Sequence, residues 1–204
     1  AIAIGYFCGA IPIGYLMGLL KGIDIRQYGS GRTGGTNVLR TVGPLAAVAT
    51  VIGDIAKGAV AVLLVRWLFH SASVEALAAL FSVLGHQKSL FIGLQGGAGT
   101  MTSSGAMLAL WPLAALVAGP IPIVSLALTR YASVGSLTGA VLGSLVVMGL
   151  VIVARQPIQY SFYALGAGAL IVYAHRPNIR RLLAGTERRI GEQARELVGK
   201  RHEG

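Results

Sequence analysis

Charged residues are scarce in this sequence. Only 12% of its 204 residues are Asp, Glu, Lys or Arg, whereas 54% are hydrophobic, and the mean hydropathy is +0.71. A soluble globular domain normally carries about twice that share of charge. The composition therefore excludes that class and indicates an integral membrane protein.

Residues that commonly bind metals or catalyse proton transfer are also few. The single cysteine, Cys8, excludes an intrachain disulfide and a cysteine-rich metal site. The acids Asp24, Asp54, Glu75 and Glu187 are scattered, and the others lie near the C-terminus. Because metal-ligand spacing and a G-x-S-x-G motif are missing as well, we expect neither a metal nor a cofactor.

What the chain does contain is a series of apolar runs, most of them near the length that crosses a bilayer. They lie near 1–20, 42–65, 74–92, 100–116, 119–129, 134–154 and 158–174. The pattern predicts an all-α polytopic membrane protein with about seven transmembrane helices. Residues 1–185 form its membrane domain, and 186–204 form a basic cytoplasmic tail.

Two parts of this scheme have a finer interpretation. Prolines interrupt residues 100–130, so one long kinked span plus a re-entrant segment is the alternative to two short spans there. In the tail, the pairs Glu192–Arg195 and Glu196–Lys200 favour a short surface helix.

The positions of the basic residues predict the orientation. Alternate connections and the C-terminal segment hold fourteen of the seventeen: Lys21, Arg26, Arg32, Arg40, Lys88, Arg130, Arg176, Arg180, Arg181, Arg188, Arg189, Arg195, Lys200 and Arg201. Arg66 and Arg155 fall on the other side. The positive-inside rule then places the N-terminus outside and the C-terminus in the cytoplasm. Basic residues gathered in loops also indicate membrane lipids, and no nucleic acid, as partners.

Four polar segments fall on the predicted cytoplasmic side. They are "GSGRTGGTNVLR" (29–40), "GDIAKG" (53–58), "GHQKSLFIGLQGGAGTMTSSG" (85–105) and "HRPNIRRLLAGTE" (175–187). In the first, close glycines let the backbone approach a ligand, while Ser30, Thr36, Asn37 and Arg40 offer hydrogen bonds and a cation. This composition is typical of a phosphate site, although a plain flexible loop is also rich in glycine.

The second and third segments each have two interpretations. Asp54 and Lys57, one helical turn apart, are either a mutually neutralising pair or an arrangement that places Lys57 beneath a phosphorylated ligand. His86 leads through a second glycine-rich loop to Thr100, which can open a helix whose N-terminus binds an anion. The small residues there suit close helix packing equally well.

The fourth segment combines anchors with more reactive groups. Arg180 and Arg181 have the positions of snorkelling side chains just past a span. His175 and Asn178 lie at i,i+3, where an imidazole beside an amide can bind phosphate or move a proton. Cations, hydroxyls and backbone amides thus converge, which favours phosphorylated substrates.

The ordered motifs "GSG..G.TNVLR", "GD..KG", "LGH", "GG.GT.TS.G" and "HR.NI.RLL.GTE" resemble the bacterial acyl-phosphate-dependent glycerol-3-phosphate acyltransferases over about residues 5–190. The resemblance implies a multi-pass protein of the bacterial inner membrane with a cytoplasmic active site. It implies transfer of a fatty acyl group from acyl phosphate to the 1-hydroxyl of glycerol 3-phosphate, giving lysophosphatidic acid for phospholipid synthesis. The soluble acyl-phosphate synthase is then an expected partner.

The resemblance and the chemistry of the segments together give the expected site. The catalytic residues are Ser30, Arg40, His175 and Asn178. The residues that bind substrate or phosphate are Gly31, Gly34, Thr36, Asn37, Lys57, His86, Gly96, Gly97, Gly99 and Thr100.

Several positions depart from the family pattern. Arg32 and Thr33 replace an Asn-Pro pair, Gly35 replaces Ala, Ser89 replaces Pro, Gln95 takes an often basic place, and Ala98 replaces a phosphate-facing lysine. Arg32 and Lys88 are candidates to restore that charge. We favour an active acyltransferase with a rearranged phosphate site. The alternatives are a relative with another phosphorylated substrate, or a non-catalytic lipid-binding or anion-transport protein.

Overall fold

The computed structural model describes residues 1–192, which form helices and one isolated β-bridge between Ser89 and Gln95. The predicted tail pairs Glu192–Arg195 and Glu196–Lys200 reach beyond the described residues. The all-α membrane architecture expected from the composition is confirmed.

The α-helices of the described residues, in chain order, are α1 (Ile2–Ala10), α2 (Ile13–Leu19), α3 (Gly35–Thr41), α4 (Pro44–Phe69), α5 (Ala72–Gln87), α6 (Thr100–Leu110), α7 (Pro112–Ala118), α8 (Pro120–Thr129), α9 (Ala132–Thr138), α10 (Ser144–Val153), α11 (Gln159–Ala174) and α12 (Arg176–Leu183). Short 3₁₀ turns occupy Ile25–Gln27 and Leu90–Ile92, and a π-helical segment, Gly139–Gly143, joins α9 to α10.

Four helical stretches are long and apolar enough to cross a bilayer. They are Ile2–Leu19, Pro44–Phe69, Pro112–Thr129 and Ala132–Val153. The helices α5 and α11 have 16 residues each, and α6 has 11. Large apolar side chains such as Trp67 and Leu128 are exposed, as expected of a surface that meets lipid. The total of about seven spans stays a prediction.

The chain between 100 and 130 breaks at a different place from the one predicted. Trp111 is extended (φ −153°, ψ 95°) and Pro112 opens α7, because proline has no N–H to continue the helix before it. Gly119 keeps helical dihedrals (φ −58°, ψ −35°), so α7 and α8 form one stretch. The predicted division between 116 and 119 is therefore wrong. The chain here forms a short helix, α6, followed by a long one, Pro112–Thr129. These lengths match the alternative prediction of one long kinked span plus a re-entrant segment.

The helix α5 lies at the centre of the bundle, packed against α1, α4, α6 and α11. Small residues make these contacts close. A Cβ added to Gly9 of α1 would lie 1.9 Å from the Ser82 carbonyl oxygen of α5, and one added to Gly105 of α6 would lie 1.9 Å from the Ile55 carbonyl oxygen of α4. Such backbone-to-backbone packing is typical of membrane helices. This close packing brings the four polar segments together at one cavity.

We predict that Gly105→Ala destabilises the protein by about 1–3 kcal/mol or more, because the new methyl group has no room beside the Ile55 carbonyl. Gly149→Ala is the matched control, since a Cβ at this exposed helical glycine has nothing within 4 Å. Unfolding in detergent micelles measures both. Equal stabilities of the two variants would contradict the close packing of α4 and α6.

Candidate active site

A cavity of about 350 Å³ opens where the four polar segments meet. Its walls come from the loop before α3, α3 itself, the N-terminus of α6, the start of α9, and the α11–α12 junction. The polar side chains that line it are Ser30, Arg32, Thr36, Asn37, Arg40, Asp54, His86, Thr100, Ser133, Ser136, His175, Asn178, Arg181, Glu187 and Arg188. Residues far apart in the sequence thus share one polar site.

The Asn37 side chain holds the first glycine-rich loop in shape. Its Nδ2 donates to the carbonyls of Ile25, Tyr28 and Arg32 (3.0, 3.1 and 2.9 Å). Its Oδ1 accepts the backbone N–H of Ser30 (3.0 Å). Gly31 has φ +68°, which glycine adopts without strain, and it turns the loop without lining the cavity. The amide of Asn37 therefore positions Ser30 at the cavity wall.

The second glycine-rich loop closes over His86. A Cβ at Gly96 would lie 2.0 Å from the His86 carbonyl oxygen, and one at Gly97 would lie 2.2 Å from His86 Nε2. These two glycines therefore serve close packing and do not line the cavity. Gly99, with φ +87°, precedes α6 and lines it together with Thr100.

Lys57 is not brought into the cavity, contrary to expectation. Its Nζ lies 2.8 Å from each of three acceptors, the Ile11 carbonyl oxygen, Asp54 Oδ1 and His86 Nδ1. The contacts with Ile11 and His86 are hydrogen bonds, and the contact with Asp54 is an ion pair. Only 6% of Lys57 is exposed. The structure thus favours the mutually neutralising pair over a cationic floor beneath a phosphate.

His175 and Asn178 face the cavity from the α11–α12 junction. His175 Nδ1 lies 2.8 Å from the Ile171 carbonyl oxygen, which assigns the proton to Nδ1 and leaves Nε2 as an acceptor. Burial lowers the pKa of His175, and the nearby Arg32 lowers it further, against the opposing Ile171 hydrogen bond. The imidazole is therefore neutral near pH 7.

Glu187 organises the same wall, although the sequence analysis does not predict it as a site residue. Its Oε1 accepts from Ser133 Oγ and from Asn178 Nδ2 (2.8 Å each), and its Oε2 accepts from Arg181 Nε (2.7 Å). Burial tends to raise the pKa of Glu187, but these hydrogen bonds outweigh burial and lower it. Gly185, with φ +68°, turns the chain back after α12. This glycine is the feature of the sequence that could have indicated the position of Glu187.

Positive charge dominates the cavity, which four arginines line. Arg40 donates from Nη2 to the carbonyls of Arg188 and Arg189 (3.1 and 3.2 Å). Its buried Nε has no hydrogen-bond partner among the described residues. Burial lowers the pKa of Arg40, and Arg188 adds to this, yet a guanidinium remains protonated at neutral pH. A buried cation with a free donor attracts anions.

A smaller cavity of about 110 Å³ adjoins the polar one at Thr100, which lines both. It lies between α6, α7, the π-helical segment and α11, with a largely apolar lining that includes Met107, Gly143 and Ala164. An outer groove shares Ala140, Ser144 and Gly168 with it. We call the small cavity the apolar slot; it runs from the polar cavity toward the outer surface of the bundle.

Ten of the fourteen expected site residues line the polar cavity, and Gly31, Lys57, Gly96 and Gly97 do not. Among the other polar residues of the lining, Arg32 had been considered only as a candidate to restore the charge absent at Ala98. Sequence reasoning missed the remaining six as site residues: Asp54, Ser133, Ser136, Arg181, Glu187 and Arg188. For the two serines at the start of α9 the sequence carries no signal that we can identify. The arginines lay within segments already noted as basic.

We predict that Lys57→Met destabilises the protein by about 3–5 kcal/mol, because it leaves the Asp54 carboxylate buried without its cation. The double variant Asp54→Asn/Lys57→Met removes both charges and loses less stability. Chemical unfolding of the purified protein compares them. Normal stability of Lys57→Met together with weakened phosphate binding would instead support the cationic floor.

Comparison with known proteins shows the family of the chain. Residues 1–185 match the family model described as glycerol-3-phosphate acyltransferase. The glycerol-3-phosphate acyltransferase of Crocosphaera subtropica is 42% identical over 207 residues, a match that covers 96% of this chain and 94% of that protein. The one from a Synechococcus species is 47% identical over 195 residues, covering 95% and 94%.

A solved structure gives the same answer. The crystal structure of PlsY (YgiH), an integral membrane glycerol 3-phosphate acyltransferase, in its glycerol 3-phosphate form is 36% identical, with a TM-score of 0.86 over 93% of this chain and 94% of that one. The lysophosphatidic acid form has a TM-score of 0.83 over 93% of each chain. The chain belongs to the glycerol-3-phosphate acyltransferase family.

Proposed function

We propose that the polar cavity is the active site of a glycerol-3-phosphate acyltransferase whose donor is acyl phosphate. The observation that carries the proposal is the junction at Thr100, where an arginine-lined cavity meets an apolar slot. Acyl phosphate has a phosphate at one end and a hydrocarbon chain at the other, so it needs both surfaces side by side. Glycerol 3-phosphate, small and anionic, fits the polar cavity alone.

Family membership supports the acceptor and the product. The two PlsY structures are described as the glycerol 3-phosphate form and the lysophosphatidic acid form. These molecules are the acceptor and the product of the proposed transfer. For this chain, we therefore take the 1-hydroxyl of glycerol 3-phosphate as the group that receives the acyl chain.

The proposed reaction is a direct acyl transfer. The hydroxyl oxygen attacks the acyl carbonyl carbon, a new ester C–O bond forms, and the bond from that carbon to the bridging phosphate oxygen breaks. Negative charge grows on the departing phosphate, so Arg40, Ser30 and the backbone N–H groups that open α6 stabilise the transition state more than the substrates. The mixed anhydride is already activated, and no covalent protein intermediate is needed.

The hydroxyl proton goes to the departing phosphate, which becomes more basic as its bond to carbon breaks. The neutral His175 lies in the same cavity, and its Nε2 can accept the hydrogen bond that orients the hydroxyl. Asn178 is fixed beside it, because its amide bonds to both Arg32 and Glu187 (3.1 and 2.8 Å). We assign both residues to acceptor positioning.

The proposed location is the bacterial inner membrane, with the cavity toward the cytoplasm, the N-terminus outside and residues 186–204 as a cytoplasmic tail. The supporting feature is the concentration of Lys and Arg in the connections around the cavity end of the bundle. A soluble synthase would then supply acyl phosphate from the cytoplasm. The lysophosphatidic acid product would leave into the bilayer along the apolar slot.

We predict that purified protein releases phosphate from palmitoyl phosphate only when glycerol 3-phosphate is present, and that Arg40→Ala lowers this turnover about 10²–10³-fold. The matched control is Arg180→Ala, since Arg180 is exposed at the same end but outside the cavity lining. Turnover that is unchanged in Arg40→Ala would contradict the electrostatic mechanism. Wild-type protein without acceptor-dependent release would contradict the activity itself.

We predict that Gly143→Leu shifts the donor preference toward shorter acyl chains. Gly143 lines the apolar slot, and a Cβ there lies 3.8 Å from Ala118 Cβ, so the larger side chain fills the slot without disturbing the fold. Loss of space for two methylene groups lowers kcat/KM for palmitoyl phosphate about tenfold, at roughly 0.8 kcal/mol each. Decanoyl phosphate is the comparison donor and Gly149→Leu the control. An unchanged ratio would exclude this slot as the acyl site.

A further inference from the structure

Arg32 is a cavity cation to which the proposed mechanism gives no contact with substrate. It lies in the loop before α3, and its guanidinium extends across to the α11–α12 junction. Nη1 donates to Asn178 Oδ1 (3.1 Å), and Nη2 donates to the Ala174 carbonyl at the end of α11. A guanidinium has more N–H groups than these two bonds occupy. The remaining ones are available to a ligand in the cavity that Arg32 lines.

No carboxylate among residues 1–192 forms an ion pair with Arg32. The carboxylates of Asp24, Asp54, Glu75 and Glu187 pair with Arg26, Lys57, Arg66 and Arg181 respectively. Burial lowers the pKa of Arg32, and repulsion from Arg181 lowers it further, against a weaker opposing effect of Glu187. Its charge is thus held at a cost in free energy that a bound anion would relieve.

The position of Arg32 distinguishes it from Arg40. Arg32 bonds to Ala174, which lies one turn beyond Ile171 on α11, and Ile171 lines the apolar slot. Arg40 instead bonds to the carbonyls of residues 188 and 189, which lie outside the lining of the slot. The two guanidinium groups therefore make their contacts in different parts of the polar cavity, and Arg32 is the one bonded to a helix that lines the slot.

We propose that Arg32 binds the phosphate group of the acyl donor. The inference rests on the proposed function and adds a substrate-specific role within it: Arg32 holds the donor phosphate at the mouth of the slot. Ala98 lines the same cavity with a side chain that carries no charge. A lysine placed at 98 therefore offers a cation from another wall, and can replace Arg32 in binding the donor phosphate.

The direct test is binding of the methylene phosphonate analogue of palmitoyl phosphate, in which CH₂ replaces the bridging oxygen and prevents transfer. We expect Arg32→Gln to weaken its binding about ten- to a hundredfold, as for loss of a charged hydrogen bond, and Arg32→Lys to weaken it less. Arg180→Gln removes an exposed arginine outside the cavity and leaves binding unchanged. Unchanged affinity in Arg32→Gln would overturn the inference whether or not the protein turns over.

Kinetics separate a donor-binding role from a merely structural one. In Arg32→Gln, we expect the KM for palmitoyl phosphate to rise about ten- to a hundredfold. The KM for glycerol 3-phosphate rises less, because Glu187 still holds Asn178, and the melting temperature is nearly unchanged. Arg32→Gln/Ala98→Lys should recover part of the lost donor affinity. A matching rise of both KM values with a lower melting temperature would mean that Arg32 only joins the loop to α11. A rise confined to glycerol 3-phosphate would assign it to the acceptor.

Discussion

Mutual repulsion among arginines is the constraint that this site has to overcome, and the Glu187 carboxylate is the group that relieves it. Glu187 bonds to Arg181, Asn178 and Ser133, and so joins α9, α12 and the segment after α12. The lowered pKa keeps this carboxylate charged. Because arginines outnumber carboxylates in the lining, the cavity keeps a positive potential while its side chains stay fixed. That combination suits binding of phosphate groups at an interface where water competes.

The rest of the bundle supports this site through close packing and paired charges. The buried Lys57 is neutralised by Asp54 and hydrogen-bonded to His86, which keeps it out of the cavity lining and lets a charged residue lie inside an apolar bundle. Asn37 uses its whole amide to fix one loop, and Gly96 and Gly97 let the other loop close over His86. Polar residues that look alike in the sequence thus divide into those that build the site and those that line the cavity.

The sequence was sufficient for the membrane architecture, because composition and long apolar runs determine it. It was also sufficient to single out the polar segments, since glycine, hydroxyl and basic residues are unusual in such a chain. It could not separate Lys57 as a neutralised pair from Lys57 as a phosphate ligand, because spacing alone fits both. It also missed Glu187, whose role depends on the turn at Gly185, and it placed a helix break at 116–119 where Pro112 puts it at Trp111. The uncharged Ala98 gains a physical context from Arg32, which reaches the same cavity from the first glycine-rich loop.

The proposed transfer requires one cavity to hold two phosphates at once, the donor's bound by Arg32 and the acceptor's beside it. Calorimetric titration of glycerol 3-phosphate into the protein, free or saturated with the methylene phosphonate analogue of palmitoyl phosphate, tests this most directly. We expect glycerol 3-phosphate still to bind to the saturated protein, with its affinity changed by less than about tenfold. Loss of glycerol 3-phosphate binding in the presence of the analogue would show that the two ligands compete for a single phosphate site, and would contradict the account.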